Sequence, residues 1–345
     1  MDTQHHAKRF SLKSLEIPVI QAPMAGGPST PQLAAAVSAG GGLGFLAAGY
    51  KSAAAMRNDI GTVRSLTTRP FGVNLFVPQP SVISPEALQQ YADSLASDAE
   101  RFGVSLGEPK HDDDDWDQKL EALLDLAPAV VSFTFDFPES SVVEELRHRG
   151  VYVIGTVTGR EEALRVLAAG ADALCVQGPE AGGHRGTFKA DAPPPLVPLH
   201  GILAELADLE MPLIAAGGIA TAEQSRAALA VGAAAVQAGT AFLRADEAGT
   251  KATHRAALSS SHRFPTTAVT RVFSGRNARG LHNEFMRRHD GDAPYGYPEI
   301  HHLTTPLRAA AAAAGEADWL NLWAGINYRN TVEGPAASIL ASLAP

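Results

Sequence analysis

The residue types with the means to do chemistry gather first at residues 176–186, VQGPEAGGHRG. An apolar run, ALCV, ends there in Gln177 and passes through glycines into His184 and Arg185. Glycine lets a backbone take unusual angles and approach a ligand closely. Gly182 and Gly183 are therefore expected to carry the chain past a ligand, with His184 facing its reacting part. Arg185 reads as a structural partner for Glu180 or for a carboxylate of the lid, and not as a catalyst.

Two more glycine motifs suit an anion. The stretch AAGGI contains Gly217 and Gly218, and QAGTAF contains Gln237, Ala238, Gly239 and Thr240. Glycines leading into a helix N-terminus expose N–H donors at the positive end of its dipole, a ready phosphate site. Gln21, Pro23 and Met24 end another apolar run, and Asn74 ends a third. Amides donate and accept at once. Asn74 and Gln177 beside a Pro-stiffened backbone would suit a flat heterocycle with both kinds of group on one edge, such as an isoalloxazine.

These residues need a scaffold that brings strand ends together. Eight β-type runs alternate with helical segments: 18–24, 42–48, 71–77, 129–135, 151–157, 173–177, 212–218 and 235–242. The helical spacing falls at 30–40, 52–66, 141–150, 160–170, 200–209 and 221–232, with TAEQ at 221–224 fitting a capping box. Eight strands alternating with helices predict an α/β fold, a (β/α)8 TIM barrel with inserted helical lid segments. Its last two strands end in the two glycine motifs, where phosphate sites of this fold recur. A doubly wound sheet is the second choice, and no G-x-G-x-x-G follows the first strand to support it. The alternation breaks at 79–128 and 261–345, read as insertions or lids on one domain spanning 1–345.

The 345 residues carry a net charge of −9, which argues against a nucleic-acid partner. No stretch reaches the roughly 18 apolar residues of a membrane span, and the first residues lack a signal-peptide pattern. A cytoplasmic enzyme with small-molecule partners is expected, and the oligomeric state is left open with a homodimer as one option. The lone cysteine, Cys175, reads as a core residue. Four aspartates at 112–115 read as a solvated turn, His301 and His302 as loop or lid packing with no metal, and His5 and His6 as an uninvolved terminus. The segment FSGR, with Ser274, Gly275 and Arg276, either reaches back to the ligand or opens a helix.

Taken in order, PVIQAPMAGG, GVNLF, VQGPEAGGHRG, LIAAGGIAT, AVQAGTAFL and FSGRNARG resemble the first class of nitronate monooxygenases, formerly called 2-nitropropane dioxygenases. The resemblance runs from about residue 15 to about residue 325. It implies an FMN-bound barrel that oxidises alkyl nitronates with O2 and no metal, with propionate 3-nitronate as the biological substrate and detoxification as the role. By motif it implies FMN contacts at Asn74, Gln177, Gly182, Gly218, Gln237, Ala238, Gly239 and Thr240, the last two on the phosphate. Pro23 and Met24 would lie against the flavin, and His184 would face the substrate. The chain departs from relatives at Gly155, where some flavin enzymes carry His, and at Gly325, Ile326 and Asn327, where many members have Gly-Gln. Tyr295 and Tyr297 match the family's active-site tyrosines loosely.

His184 is then expected to hold the nitro group and to take the α-proton from a neutral nitroalkane, as a base with a pKa near the working pH. Two other functions use the same residues. One is an FMN- and NAD(P)H-dependent enoyl-thioester or quinone reductase. The other is a flavin-free sugar-phosphate isomerase or lyase, which gives no role to Asn74 or Gln177.

Overall fold

The computed structural model describes residues 9–193 and 195–345, so His5 and His6 lie outside the described residues. Its strands are β1 (Val19–Gln21), β2 (Phe45–Ala47), β3 (Gly72–Phe76), β4 (Val130–Thr134), β5 (Tyr152–Val157), β6 (Ala173–Gln177), β7 (Gly183–His184), β8 (Leu213–Ala216), β9 (Ala235–Ala238), β10 (Thr267–Thr270) and β11 (Ala278–Leu281). Eight of them form one parallel sheet in the order β1-β9-β8-β6-β5-β4-β3-β2. The two ends meet through a parallel bridge between Ile20 and Leu43, with Gln21 N donating to Leu43 O at 2.9 Å and Leu43 N to Val19 O at 3.1 Å. The sheet is therefore a closed barrel, and each predicted strand is present, β6 with the expected bounds and the others with shorter ends. Closure leaves no unpaired edge in the barrel wall.

The helices form where spacing and caps agree. Thr30 and Ser52 cap Pro31–Ala39 and Ala53–Leu66 through their side chains. The capping box at Thr221 holds with one difference: Gln224 Oε1 reaches back to Ala220 N at 2.8 Å, one residue before the cap. The segment 200–209 splits into Leu199–Glu205 and a 3-10 turn at Ala207–Leu209.

The barrel interior is filled by Ile20, Phe45, Val130, Tyr152, Ile154, Cys175 and Ile214, closed below by Leu12. Larger apolar layers join the strands to the surrounding helices. A separate core unites Tyr91 and Leu95 of the first insertion with Phe273, Phe285, Ile300, Leu307 and Trp319. The two insertions thus share one packed core. Not all of either belongs to it. Leu123 of helix Trp116–Leu126 packs into the barrel's own helical layer, and helix Ala336–Leu343 returns to lie beside Pro31–Ala39.

Three of the four aspartates do more than make a solvated turn, while Asp113 is exposed as expected. Asp114 accepts from Tyr50 N at 2.9 Å and pairs with the buried Lys119 at 2.8 Å, while Asp115 accepts from Ala53 N and Asp112 pairs with His302 at 2.8 Å. Together they fasten the insertion to the start of helix Ala53–Leu66 and to helix Glu299–Ala313.

Candidate functional site

A cavity of about 380 Å³ lies across the C-terminal ends of the barrel strands, a size typical of small-molecule sites. Pro23, Met24, Asn74, Gln177, Gly182, Gly183, His184, Gly217, Gly218, Gln237, Ala238, Gly239 and Thr240, expected at the site from the sequence, all line it, whereas Gln21, Tyr295 and Tyr297 do not. Among the described residues no aspartate or glutamate lines it, although the chain has 37. Its charged groups are Lys251 and Arg308. A wall of this kind attracts anions.

The loop that carries His184 is held from two sides. β7 pairs antiparallel with β11, placing His184 opposite Ala278, and β11 pairs with β10. Gln177 then braces the loop from below: its Nε2 donates to His184 O at 3.0 Å and its Oε1 accepts from Gly186 N at 2.8 Å. The amide expected on a ligand edge is thus committed in part to the loop. Gly182 serves packing, because a Cβ there would stand 2.5 Å from the backbone of Ala324 and Gly325. Gly183 takes φ +76°, and a Cβ there would meet nothing within 4 Å. Arg185 has no carboxylate partner among the described residues. It is buried and donates to the carbonyls of Gln177, Gly178 and Ala181, tying the turn that precedes β7.

His184 Nε2 lies 2.8 Å from Ser274 Oγ, so the FSGR segment does reach back, to the histidine. Its ring makes edge contacts with Trp323 at 5.4 Å, Tyr297 at 5.8 Å and Phe135 at 6.0 Å between centroids. Burial, reinforced by the guanidinium groups of Arg276 and Arg308, pushes its pKa down to about 3. The expectation of a pKa near the working pH is corrected on that ground: the imidazole is held neutral. Arg276 is fully enclosed, donating to Gln79 Oε1, Arg185 O and Thr187 O, with its guanidinium 4.0 Å from the Phe135 ring centre.

Several lining residues escaped the sequence reading. Tyr50 follows β2 with φ +65°, and its hydroxyl accepts from Tyr297 at 3.2 Å. His301 stacks on Tyr50 at 4.2 Å with the rings 2° apart. It sits in helix Glu299–Ala313 and not in a loop, and its pKa falls to about 2 through burial and then Arg308. His302 faces Asp112 instead. His254 Nε2 is buried in the wall without a hydrogen-bond partner among the described residues. The spacing of His301, Thr305 and Arg308, four and then three residues apart within that helix, was the available signal for one face of it.

This lining could hold FMN. Asn74 Nδ2 is fastened to Ser132 O, Ser132 Oγ and Thr134 Oγ1, while its Oδ1 has no protein partner among the described residues. Gln237 uses Nε2 on the Cys175 sulfur at 3.2 Å, leaving its oxygen. The Thr240–Phe242 turn starts at Gly239 with no side-chain cap, so its first N–H groups are available to a phosphate. The helix after Gly218 is different, being capped by its own Thr221 and Gln224. Thr240 Oγ1 already accepts from Gly325 N at 2.9 Å, and Asn327 Nδ2 donates to Gly218 O at 2.6 Å. Asn327, from the departing Gly-Ile-Asn stretch, therefore fixes the Gly217–Gly218 turn. Burial raises the Cys175 thiol to about 12, consistent with an inert core residue.

A family model described as nitronate monooxygenase matches residues 9–345. A curated relative, the probable nitronate monooxygenase of Staphylococcus saprophyticus, is 38% identical over 327 residues, covering 92% of this chain and 91% of its own. The nitroalkane oxidase of Streptomyces ansochromogenes superposes with a TM-score of 0.92 at 46% identity, over 96% of each chain. FabK from Thermotoga maritima is more distant, with a TM-score of 0.73 at 26% identity over 96% and 93% of the two chains.

Proposed function

The chain belongs to the nitronate monooxygenase family, and we propose on that premise that it is an FMN enzyme oxidising alkyl nitronates of the propionate 3-nitronate type with O2. One observation carries the reading. The strand-end cavity combines spare amide oxygens, an uncapped glycine turn, a neutral histidine and cations, with no carboxylate in its wall among the described residues. FMN, when bound, supplies the electron acceptor and the reactivity towards O2.

The chain's residues do the rest. Asn74 and Gln237 present acceptors to the heterocycle, and Pro23 and Met24 give it an apolar support. Gly239 and Thr240 would take the phosphate through their N–H groups, beside the Gly217 and Gly218 turn that follows the neighbouring strand β8. His184, positioned by β7 and Ser274, faces the substrate. A nitronate is already a carbanion, so a weak base suffices. The aromatic groups of Phe135, Tyr297 and Trp323 pack edge-on against the imidazole and fix its orientation. A cytoplasmic enzyme that removes a toxic nitronate follows from this reading. Among the described residues no helix is long and apolar enough to cross a membrane.

The test is an absorption spectrum of the purified protein before and after anaerobic addition of propionate 3-nitronate. A yellow protein that bleaches with the nitronate and not with NADPH supports the proposal. Bleaching by NADPH alone supports a reductase instead. A colourless protein that cannot take up FMN defeats the flavin reading.

A further inference from the structure

A nitronate reaches the site as an anion, yet His184 is neutral and its Nε2 is taken up by Ser274. Some other group must meet the negative charge. Lys251 is exposed at the rim. The cation inside is Arg308, on the lid helix Glu299–Ala313.

Arg308 is built into the wall by neutral partners alone. Its Nε donates to Thr304 Oγ1 at 3.1 Å, and Nη2 donates to His301 O at 2.9 Å and Thr305 Oγ1 at 2.8 Å. Nη1 makes one long contact, 3.4 Å to Asn321 Oδ1. A guanidinium has five N–H groups in a fixed fork. Nε and Nη2 account for three, so one N–H of Nη1 is free and the other is loosely held. No carboxylate stands within ion-pair distance among the described residues. Arg308 is half-buried at the cavity wall, and a half-buried guanidinium with no counter-charge attracts an anion to its open edge. The same residue is tied to the catalytic wall: His301 Nδ1 lies 3.4 Å from Nη2, His301 stacks on Tyr50, and Tyr50 meets Tyr297 beside His184.

We propose that Arg308 is the anion-binding residue of the substrate site, its open Nη1 edge receiving a planar XO2 oxyanion. This rests on the nitronate reading for the identity of the substrate. The chemistry is shared by a nitronate and by a carboxylate on the same molecule, since both present two oxygens in a plane to a planar fork. Arg308 makes the site selective for ionised substrates. It also explains why a lid helix and not a barrel strand carries the charge: substrate can be engaged after the cofactor layer is already in place below.

The experiment uses the purified protein, its R308Q and R308K variants, and sodium nitrate as a planar, unreactive oxyanion probe followed by calorimetric titration. Loss of a charge-assisted hydrogen bond raises the nitrate Kd of R308Q by about 10- to 100-fold, with R308K in between. Unchanged far-ultraviolet circular dichroism shows that the variants fold. Turnover then separates the two sources of the oxyanion. An equal rise in KM for ethyl nitronate and propionate 3-nitronate places the nitronate group on Arg308. A rise confined to propionate 3-nitronate places the carboxylate there. Nitrate binding by R308Q equal to that of the unmodified protein, or none by either, overturns the proposal. A protein that binds nitrate through Arg308 but turns over no nitronate leaves this inference standing and defeats the proposed function alone.

Discussion

Replacing His184 by asparagine tests how far burial has weakened it as a base. Moving an imidazole from its ordinary pKa near 6.5 down to about 3 weakens it as a proton acceptor by roughly 5 kcal/mol at about 1.4 kcal/mol per pH unit. The side chain borders a cavity that solvent enters, so this is an upper bound. With about half of that weakening expressed in a proton-transfer transition state, the barrier rises by roughly 2–3 kcal/mol, on the order of 50-fold in rate. The unmodified enzyme should therefore turn over a preformed nitronate far faster than its parent nitroalkane, for which His184 must remove a C–H proton. The H184N variant should lose a further 10²-fold or more on the nitroalkane, the usual worth of a positioned base. On the nitronate it loses one neutral hydrogen bond, less than about 10-fold. Oxygen consumption with both substrates at pH 7.5, normalised to bound flavin, reads the two losses. Equal fractional loss on both would refute the base role. A nitroalkane pH profile with its acidic limb near 6.5, and not well below 5, would refute the argument from burial and the two arginines.

Other outcomes follow from the same geometry. Gly182→Ala sets a Cβ 2.5 Å from the backbone of Ala324 and Gly325, so Tm and flavin content should both fall. Gly183→Ala meets open space at φ +76° and should cost only about 1 kcal/mol of backbone strain, measurable by denaturant unfolding. Ser274→Ala removes the hydroxyl 2.8 Å from His184 Nε2. It should slow nitroalkane turnover several-fold and leave flavin binding unchanged, and a loss of flavin would contradict the role given to Ser274. Acid should also destabilise the flavin-free protein. His184, His254 and His301 are held neutral with pKa values pushed down to about 3, about 4 and about 2. Unfolded, each takes up a proton as pH falls through about 6.5, so stability is full above that pH and declines below it. A thermal midpoint that stays flat between pH 6.5 and 5 would contradict this.

The barrel was legible because its signals are local. Near-continuous apolar runs of strand length, Ala-rich helical spacing, and caps such as Thr30, Ser52 and Thr221 act within a few residues of one another. Strand order in a barrel follows chain order, so the glycine motifs after β8 and β9, with Asn74 and Gln177, had to converge at one mouth. What depended on residues far apart in the chain could not be read this way. The pairing of β7 with β11 spans about ninety residues and decides that His184 sits on a strand of the lid, against Ser274. The lid core joins Tyr91 to Trp319, a contact that no periodicity encodes. The protonation state of His184 also escaped prediction, because a pKa is set by desolvation and by charges from Arg276 and Arg308, which only folding brings near. Sequence alone thus determined the scaffold and the kinds of group at its mouth. The tertiary structure decided which of those groups are spent on the protein itself, wholly as Arg185 is or in part as Gln177 is, and which remain open to a ligand, because hydrogen-bond capacity is divided only once distant segments have met.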